Sequence, residues 1–82
     1  MKSRGPQLLA RWRAAQLVSG GGALTQLAAA KRIGASQTAW HDWEHGIKVP
    51  HLEQALKLAD LTDGDVPVES WLGVKPHRER AA

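Results

Sequence analysis

The stretch that decides the fold is LTQLAAAKRIGASQTAWHDWEHG, residues 24–46. Thr25 is a good helix N-cap, because its hydroxyl can accept from a free backbone N–H in the first turn. The run from Gln26 to Ile33 contains no helix breaker and stops at Gly34, a residue suited to the left-handed position after a helix. Only Ala35 separates that glycine from the next cap, Ser36. A further helix is predicted from Gln37 to about His45, closed by Gly46.

Two short helices joined across such a glycine turn have the sequence form of a helix-turn-helix. Ala30 is small where the two helices would cross, so their backbones can approach. Trp40 and Trp43 are three apart and share one face, directed at a core with Ile33 and Trp12. Gln37, Thr38, His41 and Asp42 then fall on the opposite, solvent face. Working outward, a first helix is predicted from Gly5-Pro6, with Leu8, Leu9, Trp12 and Ala15 along one side. Ser19-Gly20-Gly21-Gly22 reads as a flexible loop. Leu52, Ala55, Leu56 and Ala59 mark a fourth amphipathic helix. Pro67 to Leu72 is one or two turns of a fifth, stopped by Gly73. No β pattern and no internal repeat appear.

The chain has 82 residues, 43% of them apolar, and no cysteine. That allows one small domain, excludes a disulfide staple or a thiol nucleophile, and leaves little room for a catalytic cleft. No apolar run reaches membrane-spanning length, and the arginines of MKSRGPQLLARWR argue against a signal peptide, so a soluble cytoplasmic module is expected. The net charge of +3 is unevenly spread. Residues 1–32 carry Lys2, Arg4, Arg11, Arg13, Lys31 and Arg32 and no acid, whereas residues 33–74 carry seven acids and only Lys48 and Lys57 as bases. One basic and one acidic face are implied, and a basic face is the footprint of a nucleic-acid binder.

The segment Leu24-Thr25-Gln26, then Ile33-Gly34-Ala35-Ser36-Gln37, then Trp43-Glu44-His45-Gly46 and Pro50-His51-Leu52-Glu53 resembles a known family. It is similar to the DNA-binding domain of the lambda repressor and Cro type, the Xre-like helix-turn-helix regulators, from about Leu9 to Leu72. The resemblance implies an all-α, five-helix lambda-repressor-like domain over residues 6–73, with a basic arm at 1–5 and a flexible tail at 74–82. It implies sequence-specific binding of double-stranded DNA at an operator and transcription regulation by a repressor. Base-reading roles fall on Gln37, Thr38, His41 and Asp42, and phosphate-backbone roles on Thr25, Gln26, Ser36, His45 and Lys48. Lys2 and Arg4 would form a minor-groove arm. Glu44 corresponds to the family glutamate that pairs with a helix-one arginine, for which Arg13 is the candidate. The connection from Gln16 to Ala23 is longer and richer in glycine than the family's usual one. A homodimer on a palindromic site is implied, its contacts falling on Val68, Trp71 and Leu72. Two roles are open to Trp71, since it could instead close the monomer core over helix one.

Two other readings compete. The same fold could serve an antitoxin-like or adaptor protein that binds another protein. His41-Asp42-Trp43-Glu44-His45 also spells H-x-x-E-H, a zinc-peptidase string. Such an enzyme needs a third ligand and a cleft, so no catalysis, metal or cofactor is expected, and His51 and His77 read as surface residues. The glycine triplet lacks the strand and Lys-Ser/Thr ending of a phosphate loop.

Overall fold

The computed structural model describes residues 4–74. It contains four α-helices: α1 (Gly5–Ala15), α2 (Gln26–Lys31), α3 (Gln37–Glu44) and α4 (Leu52–Leu61). The expected fifth helix is a single 3-10 turn, Val68–Trp71. Pro67 precedes it in extended backbone, and Gly73 follows at φ +83°, so the segment closes only i→i+3 bonds, Ser70 N–H to Pro67 C=O at 2.9 Å among them. Among the described residues the fold is therefore all-α with four helices. Lys2 and the tail from 75 onward lie outside the described residues.

The helix ends follow local chemistry. Thr25 and Ser36 cap α2 and α3, their hydroxyls accepting from the N–H of Ala28 at 3.1 Å and of Ala39 at 3.0 Å. Gly34 leaves α2 at φ +71°, and the Ala35 N–H reaches back to the Ala30 carbonyl at 2.9 Å. Ahead of α4 the reach is reversed: the Gln54 side-chain oxygen accepts from the His51 N–H at 3.0 Å. The other end of α4 is closed by buried Thr62, whose hydroxyl donates to the Leu58 carbonyl at 2.8 Å and accepts from the Val66 N–H at 3.0 Å. Both capacities of that hydroxyl are used, so its burial carries no unpaired polar group.

The core is built around indoles. Trp40 is fully buried and Trp43 nearly so, with ring centroids 6.1 Å apart, and Trp12 of α1 meets Trp40 at 6.5 Å. All three rings are tilted, a favourable arrangement for aromatic quadrupoles. Ala29 and Ala30 are fully buried, which lets α2 lie close against α3. Ile33 packs at the margin of this core. Along α1, Leu9 is fully buried and Leu8 and Trp12 half-buried, but Ala15 is exposed.

Three expectations change. The buried stripe of α4 is Ala55 and Leu58, continued by Thr62 just past its end, while Leu52 and Leu56 are 67% and 54% exposed. The Ser19–Gly22 loop is the tip of a miniature hairpin. Leu17 and Ala23 form an isolated antiparallel bridge, and bonds from Val18 N–H to Gly22 C=O (2.9 Å) and Leu24 N–H to Gln16 C=O (2.8 Å) hold its two sides. Trp71 is only 5% exposed and lies on the first turn of α1, where a Cβ on Gly5 would come within 2.5 Å of the indole Cε3. Trp71 therefore closes the monomer core, and of the three residues assigned to a dimer contact only Leu72 is fully open, with Val68 half-buried.

Candidate nucleic-acid interface

The site is organised from behind by one carboxylate. Glu44, the last residue of α3, has a side chain only 5% exposed. Its Oε2 accepts from Arg13 Nε at 2.6 Å and from Trp40 Nε1 at 2.6 Å. Its Oε1 accepts from Arg13 Nη2 at 3.0 Å and from Gln26 Nε2 at 3.0 Å. Arg13 uses its remaining arm, Nη1, on the Leu24 carbonyl at 2.9 Å. One carboxylate thus ties α1, α2 and α3 together, and the fork-to-fork contact with Arg13 fixes angle as well as distance. Burial pushes the Glu44 carboxyl up. The bonds from Arg13, Gln26 and Trp40 and the charge of Arg13 outweigh this and hold it below the usual carboxylate range. The bond to Glu44 raises Arg13 above its already high ordinary value, against a smaller desolvation effect.

This frame presents the outer face of α3. Gln37, Thr38 and His41 are exposed, while Asp42 sits lower and is half-buried. The backbone carbonyl of Asp42 accepts from the N–H of Ile47 at 2.9 Å and of Lys48 at 3.4 Å, which pins the following loop to α3 and sets where Lys48 stands. Gly46, at φ +71°, makes that reversal possible. Ser36, Thr38, Asp42, Lys48 and His51 line one shallow groove between α3, this loop and the start of α4. Of the first N–H groups of α3, that of Ala39 is taken by the Ser36 hydroxyl, while those of Gln37 and Thr38 have no partner inside the helix.

Of the residues read from the sequence, Ser36, Thr38, Asp42 and Lys48 come together in that groove. Gln37 and His41 stand on the neighbouring surface of α3, and His45 ends the helix, its N–H bonded to the His41 carbonyl at 3.0 Å. Thr25 and Gln26 stand at the start of α2, with the Gln26 amide engaged by Glu44. Arg4 is exposed immediately before α1. His51, expected to be an ordinary surface residue, lines the groove. Its position just before α4, with Gln54 three residues later, was the available signal. The H-x-x-E-H string is split by its own helix. Glu44 is bonded inward, whereas His41 and His45 stack on the outside with ring centroids 4.1 Å apart. Among the described residues no group of three His, Cys, Asp or Glu side chains is placed to hold a metal ion.

A family model described as helix-turn-helix domain matches residues 7–72. The chain belongs to the helix-turn-helix domain family. The match takes in α1 through the 3-10 turn, so the helix-turn-helix domain includes the Arg13–Glu44 tie and both capped helices. Membership points to DNA binding. No helix among the described residues is long and apolar enough to cross a membrane. No curated protein and no solved structure matches the chain.

Proposed function

We propose that this helix-turn-helix domain reads double-stranded DNA by seating α3 in the major groove, and that it represses transcription by occupying an operator in the cytoplasm. The observation that carries this reading is the outer face of α3. It offers amide, hydroxyl and imidazole groups to solvent, on a helix whose inner face is anchored to α1 and α2 through Glu44. A Gln37 amide can pair in bidentate fashion with adenine N6 and N7, and the Thr38 methyl can meet a thymine methyl. Asp42 can accept from cytosine N4. The face carries no arginine, so affinity leans on residues beside it: Lys48 in the groove, Arg4 before α1, and the hydroxyls of Thr25 and Ser36.

The finer reading is a regulator of the Xre-like, lambda-repressor and Cro type acting as a homodimer. Two copies would set their α3 helices about 34 Å apart, one DNA turn, on a palindromic site. Fluorescence anisotropy on selected and randomised duplexes, repeated over a salt series, tests this. Tight binding to one palindrome, well above random DNA, is the expected result. Gln37→Ala should cost about 1–3 kcal/mol on that site and relax its sequence preference. Lys48→Ala should weaken binding to all sequences and reduce the salt slope by about 1. Weak, sequence-blind binding would overturn the operator reading and turn attention to a protein partner.

A further inference from the structure

His41 and His45 stand one helical turn apart on the exposed side of α3, with ring planes 37° apart and centroids 4.1 Å apart. Neither ring contributes to the core. The helical bond from the His45 N–H to the His41 carbonyl, 3.0 Å, fixes the spacing of their backbones. Imidazoles four residues apart on one helix face can grip a single ion from the same side. A second feature prepares one of them. His41 Nδ1 lies 3.3 Å from Asp42 Oδ1. With Nδ1–H donating to that carboxylate, the lone pair is left on Nε2, the carboxylate–imidazole arrangement that orients metal-bound histidines. The His45 ring makes no side-chain hydrogen bond among the described residues, so either of its nitrogens can turn to the same point.

We propose that His41 and His45 form a surface site for a borderline divalent transition-metal ion (zinc, nickel or copper(II)), with Asp42 positioning His41 and water filling the remaining places. Glu44 is not a ligand, because Arg13, Gln26 and Trp40 occupy its carboxylate. Two protein ligands make an open site, weaker than a closed structural one and graded by the metal, with copper(II) held more tightly than nickel or zinc. The ion would stand on the surface that the proposed DNA-reading mode places in the major groove. A hydrated ion there fills the space that a base edge needs, so ion and duplex exclude each other. This last step rests on the DNA-reading proposal, but the site itself does not.

The test uses the full chain titrated separately with zinc, nickel and copper(II) salts. Calorimetry is run with all three, and imidazole NMR with zinc. One ion per chain is expected, with zinc shifting the ring signals of His41 and His45. His41→Ala and His45→Ala should each lower affinity at least tenfold, and Asp42→Asn should lower it about tenfold, the low end for loss of an orienting partner. A chain carrying His51→Ala and His77→Ala should keep its one-ion binding. Far-UV circular dichroism checks that each variant is folded. Unchanged affinity in both single-histidine variants, loss of binding in the His51/His77 double variant, or no ring shift at one ion per chain would overturn the site. Adding zinc to the protein–DNA complex should then release the duplex, at zinc concentrations that rise with the duplex concentration as competition requires, and whatever DNA affinity His45→Ala retains should be insensitive to zinc. Metal binding with undiminished DNA affinity would overturn the exclusion alone. Absence of DNA binding in metal-free buffer would overturn the DNA-reading proposal and leave the site standing.

Discussion

The two faces of α3 are eight residues long and share a backbone, yet they are built on opposite terms. On the inner face every strong group is committed. Trp40 and Trp43 are packed out of solvent, and the Glu44 carboxylate accepts four hydrogen bonds from three helices. On the outer face Gln37 and Thr38 make no side-chain bond within the described residues, and His41 hydrogen-bonds only its neighbour Asp42 while its ring stacks on His45. The difference teaches where the rigidity of a reading helix comes from. It is supplied from behind, so that the side chains in front keep their hydrogen-bonding capacity for a partner.

Trp40→Ala gives the largest test of that contrast. Removing a fully buried indole from a domain this small should cost about 3–5 kcal/mol. Urea unfolding would measure it, and a loss below about 1 kcal/mol would mean that the inner face is not the anchor. Glu44→Gln comes next, at about 3 kcal/mol, because it leaves a partly buried guanidinium without its counter-charge. The double change Arg13→Met with Glu44→Leu should recover only part of that loss, since a packed apolar pair replaces a desolvated ionic one but leaves the buried Trp40 indole N–H without its acceptor. The same carboxylate predicts an acid limb. Its folded pKa is depressed, so its contribution is complete above the ordinary carboxylate value near 4.5 and is lost as pH falls through the lower folded value. Stability of the wild type should therefore decline below about pH 4.5, and Glu44→Gln should flatten that limb. Gly5→Ala, at the far end of the core, should cost about 1–3 kcal/mol by driving a methyl into the Trp71 ring. Gln37→Ala and Thr38→Ala should shift the unfolding midpoint least, within about 0.5 kcal/mol, while changing DNA affinity. A thermal or urea shift comparable to that of Gly5→Ala would erase the distinction between the faces.

Local signals carried most of the fold. Thr25, Gly34, Ser36 and Gly46 each act through atoms within a few residues, so both helix-turn-helix boundaries were legible. The Arg13–Glu44 contact spans 31 residues and was expected only through the family resemblance. The helix α4 was legible, but not which of its overlapping apolar stripes faces inward. Leu52 and Leu56 alternate with Ala55 and Ala59 at helical spacing, yet the helix turns Ala55 and Leu58 inward and its cap Thr62 follows them, where a small residue and a hydroxyl with both capacities used allow close packing. Hydrophobicity alone cannot choose between such stripes, because the choice depends on the shape of the surface opposite. Trp71 was ambiguous for a related reason. Its destination is set by the missing side chain of Gly5, far away in the chain. In the candidate site, the outer residues of α3 were legible from helical period, whereas His51 reaches the groove only through the path of the loop before α4.

The small hairpin between α1 and α2 has a consequence for anyone who wishes to build on this domain. Gly20, Gly21 and Gly22 have open space where a side chain would project, and the bridge at Leu17 and Ala23 holds the ends of the loop together. Closing a longer flexible segment costs free energy only as the logarithm of its length. The tip between Gly21 and Gly22 is thus the place at which a fluorophore, an epitope or a second module could be spliced into the middle of the chain while the three helices tied by Glu44 keep their arrangement.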